Sequence, residues 1–273
     1  MERVYANRVA FKDLSHLSKA YLVPLADTHY GCRDTAIDVI RGYINWIKDH
    51  DNTFTILNGD IINCAWKDST PELYEDLITP DMAYAIALEE LLPIRDKILM
   101  ITRGGHEESI FRKVGIDLCA RLAHDLGDIP YQPDGGMLGM RLRLDNHHTI
   151  VWCYAVHGWG GARTIGAKVK KAQDLTQVAD VDVYILSHDH TQNVNRLNLI
   201  RPPLSHVRVD KPNYMQLERK LFINTGGFVS YAGYIRRKGY TPQDLGTPRI
   251  RMEVKARQDG KSHLYYKDLH AGI

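Results

Sequence analysis

The sequence predicts a layered α/β protein, and three observations support this. Apolar runs of strand length recur through the first half of the chain, each closing on an acidic residue or a histidine. Between them lie stretches whose apolar positions recur at helical spacing. Further on, period-two alternation replaces this rhythm and signals hairpins.

Taken in order, Tyr21-Leu22-Val23-Pro24-Leu25-Ala26 reads as a buried strand that ends at Asp27-Thr28-His29. Pro24 inside it predicts an edge position or an irregularity, because proline cannot donate to a ladder. Asp34 is placed to cap a helix carrying Ile37, Ile40, Ile44 and Ile47. The strand Thr53-Phe54-Thr55-Ile56-Leu57 follows and closes on Asn58-Gly59-Asp60. A polar stretch around Lys67 to Pro71 leads to a helix over 81–92, stopped by Pro93. The third strand, 97–102, ends in Arg103-Gly104-Gly105-His106-Glu107, and one helix is predicted from Glu107 to Leu126. Residues 137–144 and 149–156 form a predicted hairpin whose second strand ends at His157-Gly158. A basic helix from Arg163 to Val178 precedes the strand 181–186, which runs into Ser187-His188-Asp189-His190. Side chains alternate along a strand, so a turn must begin at or just before His188 if both imidazoles are to reach one site. Strands at 193–200 and 221–227 come next, and a hairpin over 249–258 and 261–267 turns at Asp259-Gly260. No repeat, low-complexity tract or linker interrupts the chain, which predicts one domain over 1–273, with core motifs at about 20–226 and the C-terminal hairpin at about 249–267.

With 44% hydrophobic and 25% charged residues, the 273-residue chain has the composition of a globular protein able to bury a sizeable core. The first eight residues lack a signal-peptide core, and no run reaches the ~18 apolar residues of a membrane helix. Cys32, Cys64, Cys119 and Cys153 show no Cys-x-x-Cys spacing, so neither a disulfide framework nor a zinc ribbon is indicated. A cytoplasmic protein that does not engage a membrane is expected. Residues 1–136 carry 14 Lys+Arg against 22 Asp+Glu, and residues 137–273 carry 21 against 11. That split suits either an anion-facing side, nucleic acid being one candidate partner, or basic residues dispersed over a solvated surface. The true clusters are Lys168-Val169-Lys170-Lys171 and Arg236-Arg237-Lys238.

Five strand ends carry metal-ligand side chains: Asp27 with His29, Asp60, His106, His157, and His188 with His190. Singly, Asp27 or Asp60 reads as a turn residue or helix cap, His157 as a satisfied turn histidine, His106 as a cap of its helix, and the pair His188 and His190 as surface or half-buried histidines. Together they form a mixed imidazole and carboxylate set without thiolate, suited to Mn²⁺, Fe²⁺ or Zn²⁺. The set is too large for one tetrahedral ion and about right for two ions sharing a carboxylate. Such a pair supports displacement at phosphorus.

The ordered series Asp27-Thr28-His29, Gly59-Asp60, Gly104-Gly105-His106-Glu107, His157-Gly158 and Ser187-His188-Asp189-His190 resembles the calcineurin-like metallophosphoesterases, whose motifs are D-x-H, G-D, G-N-H-[DE], H and G-H-x-H. The resemblance spans about residues 20–192, with Asn224-Thr225-Gly226 continuing it. It implies a four-layer αββα sandwich with mixed sheets and a dinuclear site for two divalent transition ions, Mn²⁺ first. Asp27, His29 and His190 would hold one ion, His157 and His188 the other, and Asp60 would bridge. His106 would contact phosphate and assist the leaving group, and Glu107 would orient His106. The implied activity is hydrolysis of a phosphomonoester or phosphodiester, with a nucleotide or nucleic acid among the candidate substrates.

Two positions depart from the pattern. Ser187 replaces a glycine, a small-for-small change. Gly105 replaces an asparagine whose amide oxygen binds the second ion and phosphate in the family, which leaves that position to water, substrate or a neighbour such as Asn63 or Asn58. Substrate contacts are expected at Gly105, Arg163 and Asn63. An active phosphoesterase with a weakened second site and a binding or scaffold protein that has lost turnover both remain consistent with Gly105.

Overall fold

The computed structural model describes residues 9–64, 78–202, 215–237, 239–259 and 262–273. The Lys67–Pro71 stretch, Lys238 and the turn glycine Gly260, all read above, lie outside the described residues.

Two mixed sheets stack face to face. One has the order β11(Ser262–Gly272), β10(Arg249–Asp259), β2(Lys19–Leu25), β3(Thr53–Asn58), β4(Ile98–Thr102). The other has the order β1(Ala10–Asp13), β5(Gly136–Leu144), β6(His147–Val156), β7(Val183–Leu186), β9(Gln216–Thr225), β8(Gln192–Arg201). Strand alternation divides the apolar residues between layers. Leu22, Ile56, Met140, Cys153, Ile185, Ile223 and Met252 meet between the sheets. Val23, Leu25, Leu57 and Ile101 point the other way, against α1(Ile37–Asp49), α2(Pro80–Leu91) and α4(Leu118–Asp125). Tyr184, Leu186 and Phe222 pack under Ala172 of α5(Ile165–Asp174) on the opposite outer face. The result is the four-layer αββα sandwich that the resemblance implies.

Strands β2, β3 and β4 run parallel to one another, as do β6, β7 and β9. Their carboxyl ends are therefore the places where loops carrying Asp27, Asp60, His106, His157 and His188 emerge. Pro24 sits inside β2, where pairing with β10 has already stopped at Leu22 and β3 is the remaining partner, so its missing N–H breaks no ladder there.

Several boundaries differ from the sequence reading. Asp34 does not cap α1: the N-cap is Ala36, without a side-chain cap, and its N–H donates to the Phe228 carbonyl. The single helix expected over 107–126 is two, α3(Gly105–Val114) and α4, because Gly115 ends the first in a left-handed conformation and Asp117 caps the second through the Ala120 N–H. The short strand β1, parallel to β5, and the helix α6(Gly233–Arg237) were not anticipated. No helix among the described residues is long and apolar enough to cross a membrane.

Candidate metal centre

The loops at the strand ends bend sharply, and the ligand-type residues are the ones that bend. Among the described residues seven non-glycine residues have positive φ, and five of them are Asp27, His29, Asp60, His188 and His190. The left-handed region costs an ordinary residue roughly 1–2 kcal/mol, less for Asp and His. Concentrated here, it breaks strand alternation, which is how His188 (φ 72°) and His190 (φ 49°) both turn toward one centre. The turn required by the His-x-His spacing thus begins at His188 itself.

Three overlapping groups result: Asp27, His29 and His190; His29, Asp60 and His106; Asp60, His157 and His188. Within each, the ligand atoms lie no more than 4.8 Å apart. Asp60 is the link between the second and third, as His29 is between the first and second. His157 Nε2 is 3.2 Å from Asp60 Oδ2, His29 Nε2 is 4.0 Å from the same oxygen, and His190 Nε2 is 3.4 Å from Asp27 Oδ1. The His29 and His106 rings meet edge to face at 4.5 Å, and those of His29 and His190 stack at 5.3 Å.

Burial and charge set the protonation of these groups. Burial, reinforced by neighbouring imidazoles, pushes His190 down to about 3 and holds His29 and His188 below the ordinary imidazole value. These rings are therefore neutral, the form that binds a metal. Burial works against ionising Asp60, yet His157 and His106 beside it hold its carboxyl well below the usual range. Burial likewise opposes a proton on His157, but Asp60 outweighs it and raises the group to about 10. Asp27 is pushed well up by burial, against the pull of His157 and with Asp60 adding to the rise.

The hydrogen bonds leave the inward faces of these groups open. His157 Nδ1 sits 2.8 Å from the Asn58 carbonyl, which makes that nitrogen the donor and aims Nε2 at the centre. The main-chain N–H of His106 donates to Asp60 Oδ1 at 2.8 Å, and that of His188 to Asp27 Oδ2 at 3.0 Å. Asp27 Oδ1, His29 Nε2, His106 Nδ1, His157 Nε2 and His190 Nδ1 are buried without a hydrogen-bond partner. Buried polar atoms are ordinarily satisfied. Buried, unpartnered polar atoms concentrated on these residues are what a cation would satisfy, and with ligand atoms within 4.8 Å of one another in each group the donor set fits one or two divalent ions.

Glu107 does something other than orient the His106 ring. Fully buried, its carboxylate accepts the main-chain N–H groups of Ile61 (2.7 Å), Ile62 (2.9 Å), Asp60 (3.1 Å) and Gly104 (3.1 Å). It binds the Asp60 loop to the start of α3 and is a positioning residue. Glu107→Gln would turn an amide donor toward those donors, and about 3 kcal/mol of stability is expected to be lost in urea unfolding; an unchanged midpoint would contradict this.

Asn58 is not available as a substitute ligand. Its amide donates to the Val156 carbonyl and to Ser187 Oγ, and its oxygen accepts from Thr102 Oγ1. Ser187 is more than a tolerated change, since its hydroxyl also accepts from Thr225 Oγ1 at 3.0 Å and so ties β7 to β9. Asn63 is buried on the loop after Asp60. At Gly105 an added Cβ would meet nothing within 4 Å, so the position opens onto free space. Arg163 is exposed.

The lysines of the 168–171 cluster are engaged with partners of the same fold. Lys168 is buried, and its ammonium donates to the Asp189 carbonyl at 3.0 Å and to Thr191 Oγ1. Lys171 is paired with the Asp189 carboxylate at 2.9 Å, and Lys170 with Asp174. The one sequence signal for this arrangement was an acid, Asp189, between two histidines just after a lysine-rich helix.

No family model matches the chain, and no curated protein matches it. Among solved structures it is similar to vacuolar protein sorting 29 from Cryptosporidium parvum, at 13% identity over 93% of this chain and 100% of that one, with a TM-score of 0.40. It is also similar to GAP50, the anchor in the inner membrane complex of Plasmodium, at 11% identity over 86% and 82% of the two chains, with a TM-score of 0.42.

Proposed function

We propose that the chain is a metal-dependent phosphoesterase that hydrolyses a phosphomonoester or phosphodiester at a dinuclear site. The observation that carries this reading is the convergence of Asp27, His29, Asp60, His157, His188 and His190 from two sheets into overlapping groups linked through His29 and Asp60, with Asp27 Oδ1, His29 Nε2, His157 Nε2 and His190 Nδ1 buried and unpartnered. Two divalent transition ions, Mn²⁺ first and Fe or Zn as alternatives, supply when bound a nucleophile at neutral pH and positive charge for the phosphoryl oxygens.

Asp27, His29 and His190 would hold one ion, His157 and His188 the other, with Asp60 between them. The chain contributes the fixed placement of these groups through its left-handed turns. His106 stands at the first turn of α3, its ring against His29, where it would carry a proton to the departing oxygen. Gly105, Arg163 and Asn63 are the proposed substrate contacts, and a small phosphoester or nucleotide suits the site better than a long nucleic acid, given how the lysines of α5 are engaged.

The test is metal analysis of the purified chain, followed by assay of bis-aryl phosphate, aryl monophosphate, nucleotides and single-stranded DNA with Mn²⁺. Bound metal and hydrolysis of at least one are expected; a chain that binds no transition metal overturns the reading. His106→Gln should retain bound metal and lose about 10²-fold in kcat. Equal loss of metal and rate would place His106 among the ligands instead. One observation favours a second reading, a binding or scaffold protein without turnover: Gly105 offers no side chain to the second ion. Full metal loading without hydrolysis of any of these substrates would select it.

A further inference from the structure

We propose that Lys168 and Lys171 of α5 are positioning residues that hold the Ser187-His188-Asp189-His190 turn in its ligand-presenting form, and so set the affinity of the centre for its cation. This rests on the metal-dependent reading above.

The turn carries two left-handed histidines in three residues, a conformation that local sequence does not favour. It is fixed from two sides. On the inner side the His188 N–H donates to Asp27 Oδ2 at 3.0 Å. On the outer side the buried Lys168 donates to the Asp189 carbonyl, and Lys171 grips both Asp189 carboxylate oxygens at 2.9 and 3.1 Å. Asp189 is itself buried, and its N–H donates to the Ser187 carbonyl at 2.9 Å. Thr191 Oγ1 accepts from Lys168 and donates to the Asp189 carbonyl, closing the ring of bonds behind His190. The carbonyl of Lys168 accepts in turn from Asn224, at the end of β9. The outer bonds converge on Asp189, the residue between the two ligands. Releasing it would let the backbone relax toward extended geometry, in which His188 and His190 face opposite ways.

The sign of the effect separates positioning from electrostatics. Removing the Lys171 charge leaves the Asp189 carboxylate unbalanced near a cation site, which on charge alone would tighten cation binding. Positioning predicts the reverse. Mn²⁺ titration of the purified chain, followed by electron paramagnetic resonance of the free ion, measures it, with the metal-free melting temperature recorded for every variant. Lys171→Met is expected to bind Mn²⁺ at least tenfold more weakly, and Lys171→Arg to recover to within threefold of the parent. Lys170→Met, whose partner is Asp174 and not Asp189, should change nothing. Lys168→Met, which also removes a positive charge and loses the bond to the Asp189 carbonyl, should match Lys171→Met and stands in for it if that variant does not fold. Parental or tighter Mn²⁺ binding by a folded Lys171→Met overturns the clamp and leaves the phosphoesterase reading intact. A parent chain that binds no Mn²⁺ overturns both.

Discussion

Asp60→Asn is expected to strip the centre of metal and to lower phosphoester hydrolysis by about 10³-fold, the equivalent of about 4 kcal/mol. The Asp60 carboxylate is shared by two of the three ligand groups. One carboxylate oxygen accepts from the His106 main chain at 2.8 Å, and the other faces His157 at 3.2 Å and His29 at 4.0 Å. Asparagine keeps the volume and one acceptor, so the link to α3 survives, but the charge between the groups is gone. As a ligand Asp27 belongs only to the group of Asp27, His29 and His190, and asparagine keeps an acceptor for the His188 N–H, so Asp27→Asn should cost one ion where Asp60→Asn costs both. Metal-to-protein ratios of the two variants, measured beside kcat/KM and circular dichroism, check this. An unchanged ratio in folded Asp60→Asn would show that the shared carboxylate is not a ligand.

The layers and the strand ends were legible because their signals are local. An apolar run that stops at Asp27, Asp60 or His188 reveals a strand and its end in one glance, and the two faces of β6, β7 and β9 follow from alternation. What was illegible depends on partners distant in sequence. Glu107 reads as a helix residue beside a histidine, and only the fold brings Ile61 and Ile62 to its carboxylate. Lys168 and Lys171 read as surface charge, because nothing in their own segment says that Asp189 lies behind them. The break between α3 and α4 was available in Gly115 and Asp117, but the apolar spacing of Ile110, Val114, Leu118 and Leu122 continues across it and hid the two caps. The left-handed backbone at the ligands has no sequence signature beyond the tolerance of Asp and His for it.

Two adjacent glycines should respond in opposite ways, and the difference bears on whether this chain turns over substrate. At Gly104 an added Cβ would come within 2.1 Å of the Asp60 main-chain nitrogen and 2.2 Å of its Oδ1. Neither atom can yield, since Asp60 is fixed by Glu107 and by the His106 N–H. Gly104→Ala is therefore expected to cost about 3 kcal/mol of stability and to weaken metal binding by pushing Asp60 away. At Gly105, the next residue, a Cβ meets nothing within 4 Å and the backbone already belongs to the first turn of α3. Gly105→Ala should be neutral or slightly stabilising, because alanine forms helix more readily than glycine. Gly105→Asn adds an amide oxygen at the same open position, and about a tenfold or greater gain in kcat/KM is expected, with tighter loading of the second ion. Such a gain would mean that Gly105 is a gap in working machinery. If Gly105→Asn folds and loads metal like its parent yet gains nothing, the missing side chain is not what limits turnover, and the choice between enzyme and binding protein then falls to His106 and the substrate panel.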